Sequence, residues 1–172
     1  MPKTLHPCQK VDLDWLDRAQ SRFSNDIDIA LTPDELFGVL ARADTWPRWA
    51  KVITHVEYTS PEPFGVGTTR VVTMRGGMVG DEEFLAWEPG RQMAFRFNTS
   101  ATKTLHAFLE NYRLEPIAGG TRLTWELGME TAGPSKLFAP ISTPVTNFMF
   151  RRFLKNLQTL CVDGVPAVTG RS

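Results

Sequence analysis

The chain has 172 residues, 42% of them hydrophobic and 22% charged, with a formal net charge of zero. That length is one ordinary domain, large enough to bury about 70% of its unfolded surface and to fold without disulfides or a structural metal. The neutral balance, with no basic stripe, argues against a nucleic-acid partner, two distant cysteines exclude a disulfide framework, and no run approaches the roughly 18 apolar residues of a membrane span.

Residues 1–21 read as an N-terminal arm. Met1 to Lys10 lack the apolar core of a secretory signal, which points to a cytoplasmic protein with reduced thiols. Val11 to Gln20 reads as a short helix that Trp15 anchors to the body. From Ser24 to Leu31, Ile27, Ile29 and Leu31 alternate with polar or small residues, the period of a half-buried strand. Thr32-Pro33-Asp34-Glu35 then carries an N-cap, a proline at the first helical position and the glutamate of a capping box. Leu36, Phe37, Val39 and Leu40 continue at helical spacing. A second helical turn, capped by Asp44, puts Trp46 and Trp49 on one side.

Six strand-like runs follow, each closed by a turn signal: Val52–Tyr58, Thr68–Met74, Glu82–Trp87, Gln92–Asn98, Leu105–Leu114 and Thr121–Glu130. A proline-punctuated linker spans Thr131 to Pro144, and a long amphipathic helix runs from Pro144 to about Cys161. Seven antiparallel strands cannot bury one face alone, and only the last helix is long enough to cover it. The expected fold is therefore α+β, a curved antiparallel sheet of seven strands around a long C-terminal helix, with two short helices between the first and second strands. The domain is expected over residues 22–163, with a flexible tail over 164–172.

Several stretches, in this order, resemble the SRPBCC superfamily, and within it the polyketide cyclase/dehydrase-like proteins with a START-like helix-grip fold. They are Ile29 to Leu40, Asp44 to Trp49, Gly65-Val66-Gly67-Thr68, Trp87 to Arg91, Tyr112 to Pro116 and Gly119 to Trp125. The resemblance covers residues 22–163 and implies a cavity between sheet and helix. It implies no single activity, because the superfamily spans lipid and sterol carriers, hormone receptors, aromatase/cyclases, quinone-binding proteins and chaperone co-activators.

No motif carries decisive chemistry. Gly65-Val66-Gly67 lacks the spacing and following helix of a phosphate loop and reads as a turn, so no cofactor is expected. His6, His55 and His106 lack metal-ligand spacing, so no metal is expected. Arg151, Arg152 and Lys155 read as a solvated helix face.

The run Leu105–Leu114 is the most informative. The resemblance turns Tyr112 and Leu114 inward, and strand parity then brings Phe108, Glu110 and His106 with them. A buried carboxylate needs a partner or a proton, and His106, Arg70 or Arg152 could supply the partner. Two outcomes stay open: a bulge or frayed strand end that lets both His106 and Glu110 reach water, or a polar spot in an apolar cavity that orients a ligand hydroxyl or carbonyl or moves a proton.

By alternation the cavity wall is expected to hold Arg70, Val72, Met74, Phe84, Phe95, Phe97, His106, Phe108, Glu110, Tyr112, Leu123, Trp125 and Leu127, faced by Met149, Phe153 and Leu157 from the last helix. Leu137 and Phe138, between Gly133-Pro134 and Pro140, are expected either to close the mouth as a lid or simply to pack a linker. The expected function is binding or carriage of a hydrophobic small molecule such as a lipid, polyketide or other cyclic compound. The alternatives are a cyclase/dehydratase-type lyase with His106 and Glu110 as acid–base residues, and a protein-interaction module of co-activator type.

Overall fold

The computed structural model describes residues 4–132 and 135–164, and of residues 135–143 the backbone alone. In chain order the elements are β1 (His6–Pro7), β2 (Ser21–Ile29), α1 (Pro33–Ala41), α2 (Trp46–Trp49), β3 (Ile53–Tyr58), β4 (Thr69–Met74), β5 (Val79–Glu88), β6 (Gln92–Ser100), β7 (Leu105–Ile117), β8 (Gly120–Thr131) and α3 (Ser135–Asp163). The sheet runs β2-β8-β7-β6-β5-β4-β3, entirely antiparallel, so every neighbour after the first is a hairpin partner and β2 closes one edge. Its concave face grips α3, the α+β helix-grip arrangement expected from the order of elements. Among the described residues no helix is long and apolar enough to cross a membrane.

Local chemistry explains the small elements. Thr32 accepts a hydrogen bond from the Glu35 amide while the Glu35 carboxylate accepts from the Thr32 amide, a complete capping box. Asp44 does not cap α2; its carboxylate is instead held by the Arg42 guanidinium at 2.8 and 3.0 Å. The turn at Gly90 takes φ +68°, the left-handed backbone that a side chain resists, and a Cβ there would lie 2.4 Å from Asp34 Oδ1.

Several strand ends shift by a few residues, and two helical segments differ more from the sequence expectation. The region 11–20 is only a 3₁₀ helix over Leu13–Arg18, with Trp15 and Leu16 buried. The last helix begins at Ser135, not Pro144, so the backbone of Leu137 and Phe138 is helical rather than linker. Pro140, expected in the linker, and Pro144, expected to open the helix, both lie inside α3, which forgoes the backbone amide donors that proline lacks. The side chains of Leu137 and Phe138, and the tail from residue 165, lie outside the described residues.

The N-terminal arm is part of the wall. Pairing between β6 and β7 stops at Arg96 and Leu109, and the two strands diverge beyond. Residues 6–9 enter that wedge: His6 and Pro7 pair with Ser100 and Thr99, the Cys8 amide donates to Asn98, and the Gln9 amide donates to His106. Cys8 packs there on Phe97 and Leu105. Farther along, Trp15 and Leu16 cover Ala107 and Leu109 on the convex face, over Gly128, whose missing side chain leaves room for both. At the other edge α3 is tied to the fold by polar contacts: Gln158 to the Asp28 carbonyl at 2.7 Å, Asn156 to the Trp49 carbonyl at 3.1 Å, and Arg151 to Asn25 at 3.1 Å.

Candidate functional site

Between the concave face and α3 the fold leaves a cavity of about 350 Å³. One part of its wall is a mesh of aromatic rings. α2 supplies Trp46 and Trp49, three residues apart and therefore on one side, 4.9 Å between centroids. Trp46 meets Tyr112 edge-to-face at 5.8 Å, Trp49 meets Trp125 at 6.0 Å, and Trp125 meets Phe150 of α3 at 4.6 Å. Another part is softer: Met74, Met78, Met129 and Met149 all contribute to the wall, flexible side chains that adapt to an occupant's shape.

Of the residues expected in the wall, Val72, Met74, Phe95, Phe97, Phe108, Glu110, Tyr112, Trp125, Leu127, Met149 and Phe153 line the cavity. Phe84, Leu123 and Leu157 do not; they are fully buried in the packed core behind it. Arg70 also lies behind the wall, 1% exposed. His106 is outside altogether. The register shifts between Leu105 and Ala107 against β8, so Leu105 turns inward and His106 turns to solvent. The bulge weighed from sequence therefore exists, but it releases His106 alone and leaves Glu110 inside. Sequence reasoning missed Trp46, Trp49, Leu105, Met129 and Phe150, and also Glu82, whose signal was its parity with Phe84 on the same strand face.

The polar groups gather on one side. Arg70 Nε donates to Glu82 Oε2 at 2.5 Å, and both side chains are almost wholly buried. The guanidinium lies over the rings of Trp46, Phe95 and Phe84 at 4.3, 4.5 and 4.9 Å. Its Nη1 has no hydrogen-bond partner among the described residues. Glu110 pairs with neither Arg70 nor Arg152 nor His106, the three partners expected. The Tyr112 hydroxyl and the Trp125 indole N–H, the latter at 3.0 Å, both donate to its Oε2. Burial pushes the Glu110 carboxyl up to about 8, against the pull of the Tyr112 hydrogen bond, and the Glu82 charge adds to the rise. Burial and the neighbouring Glu110 also push Tyr112 well above the usual phenol range. At neutral pH the cavity thus contains one internally neutralised ion pair and one protonated acid.

Gly80 on β5 sets the size of this space. A Cβ there would lie 2.5 Å from the far atoms of the Phe97 ring, which packs tilted against Phe108 with 4.3 Å between centroids. Gly80→Ala is expected to turn Phe97 into the cavity, costing about 1–3 kcal/mol by overpacking and weakening any bulky apolar ligand. Thermal unfolding and titration with a naphthalene probe check both effects; unchanged probe affinity would mean that the ring has moved elsewhere.

Comparison with known proteins agrees with this architecture. Residues 20–162 match the family model described as polyketide cyclase / dehydrase and lipid transport. Uncharacterized proteins of Mycobacterium bovis and Mycobacterium tuberculosis are 52% identical over 154 residues, covering 90% of this chain and 92% of each relative. A START superfamily protein from Mycobacterium smegmatis superposes with a TM-score of 0.69 at 11% identity, over 83% of this chain and 97% of that one. Ara h 8.0201 does so at 0.64 and 16% identity, over 84% and 99%. Family and fold are both consistent with holding a hydrophobic ligand in a cavity, and the chain belongs to the polyketide cyclase/dehydrase and lipid transport family.

Proposed function

We propose that this protein binds and carries an apolar small molecule, a lipid, polyketide or other cyclic compound, in the cavity between sheet and α3. The observation that carries this reading is the unfilled space itself. A chain with eleven Phe and five Trp has ample bulk to close its core, yet leaves about 350 Å³ open and lined almost wholly by apolar side chains. A ligand burying about 250 Å² of apolar surface there would gain about 6 kcal/mol before the costs of binding. Affinity therefore comes from burial, and the polar side supplies orientation.

The enzyme reading keeps one supporting observation, the raised Glu110 acid, but the exposure of His106 removes the acid–base pair expected from sequence. A filled cavity and an exposed apolar patch would favour the interaction-module reading; the open cavity counts against it, while the exposed Val145 and Phe148 of α3 count for it. Cys8 and Cys161 are both free and buried, which suits a cytoplasmic location. Native mass spectrometry on protein purified from its own host is the test. A reproducible extra mass of a few hundred daltons, lost on denaturation, is expected. A bare mass, together with no thermal shift from a panel of apolar compounds, would overturn the carrier reading.

A further inference from the structure

We infer that Glu110 works as a neutral carboxylic acid whose Oε1 donates a hydrogen bond to an uncharged carbonyl oxygen, so that the cavity selects apolar ketones, quinones or esters over hydrocarbons and over carboxylates. This rests on the ligand-binding reading above and names the chemical class that the site takes.

The geometry fixes where the proton goes. Oε2 of Glu110 already accepts from the Tyr112 hydroxyl and from the Trp125 indole N–H. A proton on that oxygen would face two donors, so the acid proton belongs on Oε1. Oε1 has no partner among the described residues, and Glu110 lines the cavity. Tyr112 has spent its hydroxyl proton on Glu110. Arg70 is committed to Glu82 and sits behind the wall. What Glu110 itself offers an occupant is a single O–H donor, complementary to a carbonyl oxygen; the Trp49 indole N–H, also unpartnered among the described residues, is fully buried in the wall. A carboxylate ligand would bring an uncompensated anion beside Glu82, whose one nearby cation is already paired, and desolvating it there is costly.

Three charged or titratable groups act on Glu110: Glu82 favours the neutral acid, the Tyr112 hydrogen bond and Arg70 favour the anion, and burial outweighs those two. Tyr112 is on its own strand, Glu82 comes from β5, and Arg70 from β4 acts from behind the wall. β6, β8, α2 and the described part of α3 add no titratable side chain to the cavity wall. Burial holds the carboxyl at about 8, so the donor is present at neutral pH and becomes an acceptor only as pH rises past that value.

The test uses three probes of one shape, 2-acetylnaphthalene, 2-ethylnaphthalene and 2-naphthoate, titrated calorimetrically into wild type, Glu110→Gln and Glu110→Met. In wild type near pH 6.5 the ketone is expected to bind about tenfold tighter than the hydrocarbon, with the carboxylate weakest. Near pH 9.5 the preference for the ketone shrinks. Glu110→Gln offers an amide N–H in place of the acid O–H, so it retains the preference and loses the pH dependence. Glu110→Met still binds the hydrocarbon and frees the Tyr112 hydroxyl and the Trp125 N–H to meet the ketone, so its ketone affinity is expected to lose the pH dependence that the acid donor confers. Equal affinity for ketone and hydrocarbon in wild type, tightest binding of the carboxylate, or a pH dependence of the ketone preference that survives in Glu110→Met would overturn this inference while leaving the cavity reading standing. Failure of all three probes to bind would overturn both.

Discussion

Replacing Glu82 with leucine is expected to lower the folding stability by about 3–5 kcal/mol, the cost of leaving one member of a buried ion pair alone. Arg70 is 1% exposed, its Nε depends on Glu82 at 2.5 Å, and its Nη1 already lacks a partner among the described residues. Arginine cannot escape by losing its proton, because its pKa lies above about 12. The faces of Trp46, Phe84 and Phe95 offer some compensation, but a cation–π contact is worth only about 0.5–2 kcal/mol. The reverse substitution should be milder. Arg70→Met leaves a carboxyl that burial already pushes up, and Glu82 can take a proton instead of staying ionised. The double variant Arg70→Met/Glu82→Leu removes both charges and should recover most of the loss, since well-packed apolar replacements of buried pairs are often neutral or stabilising. Urea unfolding of the four proteins gives the coupling directly. Equal and additive losses from the two single variants would show that the pair is not coupled and that the rings alone hold the guanidinium.

Much of this fold was legible because its signals are local. The capping box at Thr32–Glu35, the paired tryptophans of α2 and the period-two strands each follow from neighbouring residues, and antiparallel order follows from short turns. The misreadings share a different cause. His106 was placed by counting parity along β7, and a bulge between Leu105 and Ala107 breaks the count. A bulge depends on the partner strand and on the arm wedged beside it, which β7's own residues do not encode. The wall was blurred for a similar reason. Alternation tells which face a side chain takes but not whether that position meets α3, other rings or open space. Phe84 and Phe95 alternate alike, yet Phe84 is core and Phe95 is wall. Glu82 was hidden by its company, since Asp81-Glu82-Glu83 reads as solvated charge although the middle residue shares the inward face of Phe84. The proline-bearing start of α3 is a case where a strong local rule gave way, for the helix runs through both prolines.

Glu110→Gln should make the protein more stable than wild type in alkaline conditions and leave it unchanged in acid. The sign follows from the direction of the shift. The carboxyl rises from its ordinary 4.5 to about 8 in the fold. Below about pH 4.5 both folded and unfolded chains hold the proton and the group contributes no pH dependence. Between that value and about 8 the folded chain keeps a proton that the unfolded chain has released, so wild-type stability falls as pH rises. Above about 8 the penalty is complete, worth about 5 kcal/mol at full burial and less as water enters the cavity. Glutamine carries no such charge, and its carbonyl oxygen can still accept from Tyr112 and Trp125. Chemical denaturation at a series of pH values should therefore show the two proteins alike near pH 4 and diverging to a plateau past pH 8. Parallel curves would mean that Glu110 is solvated in the fold and ionises as it does in water. Glu110→Met separates the two roles of the group. It removes the charge, so its pH profile should be as flat as that of Glu110→Gln. It also leaves the Tyr112 hydroxyl and the Trp125 N–H without an acceptor, at about 1–3 kcal/mol each. A methionine variant that is flat but uniformly less stable than the glutamine variant would identify Glu110 as an acceptor that the fold requires and, in the same side chain, an ionisation that it resists.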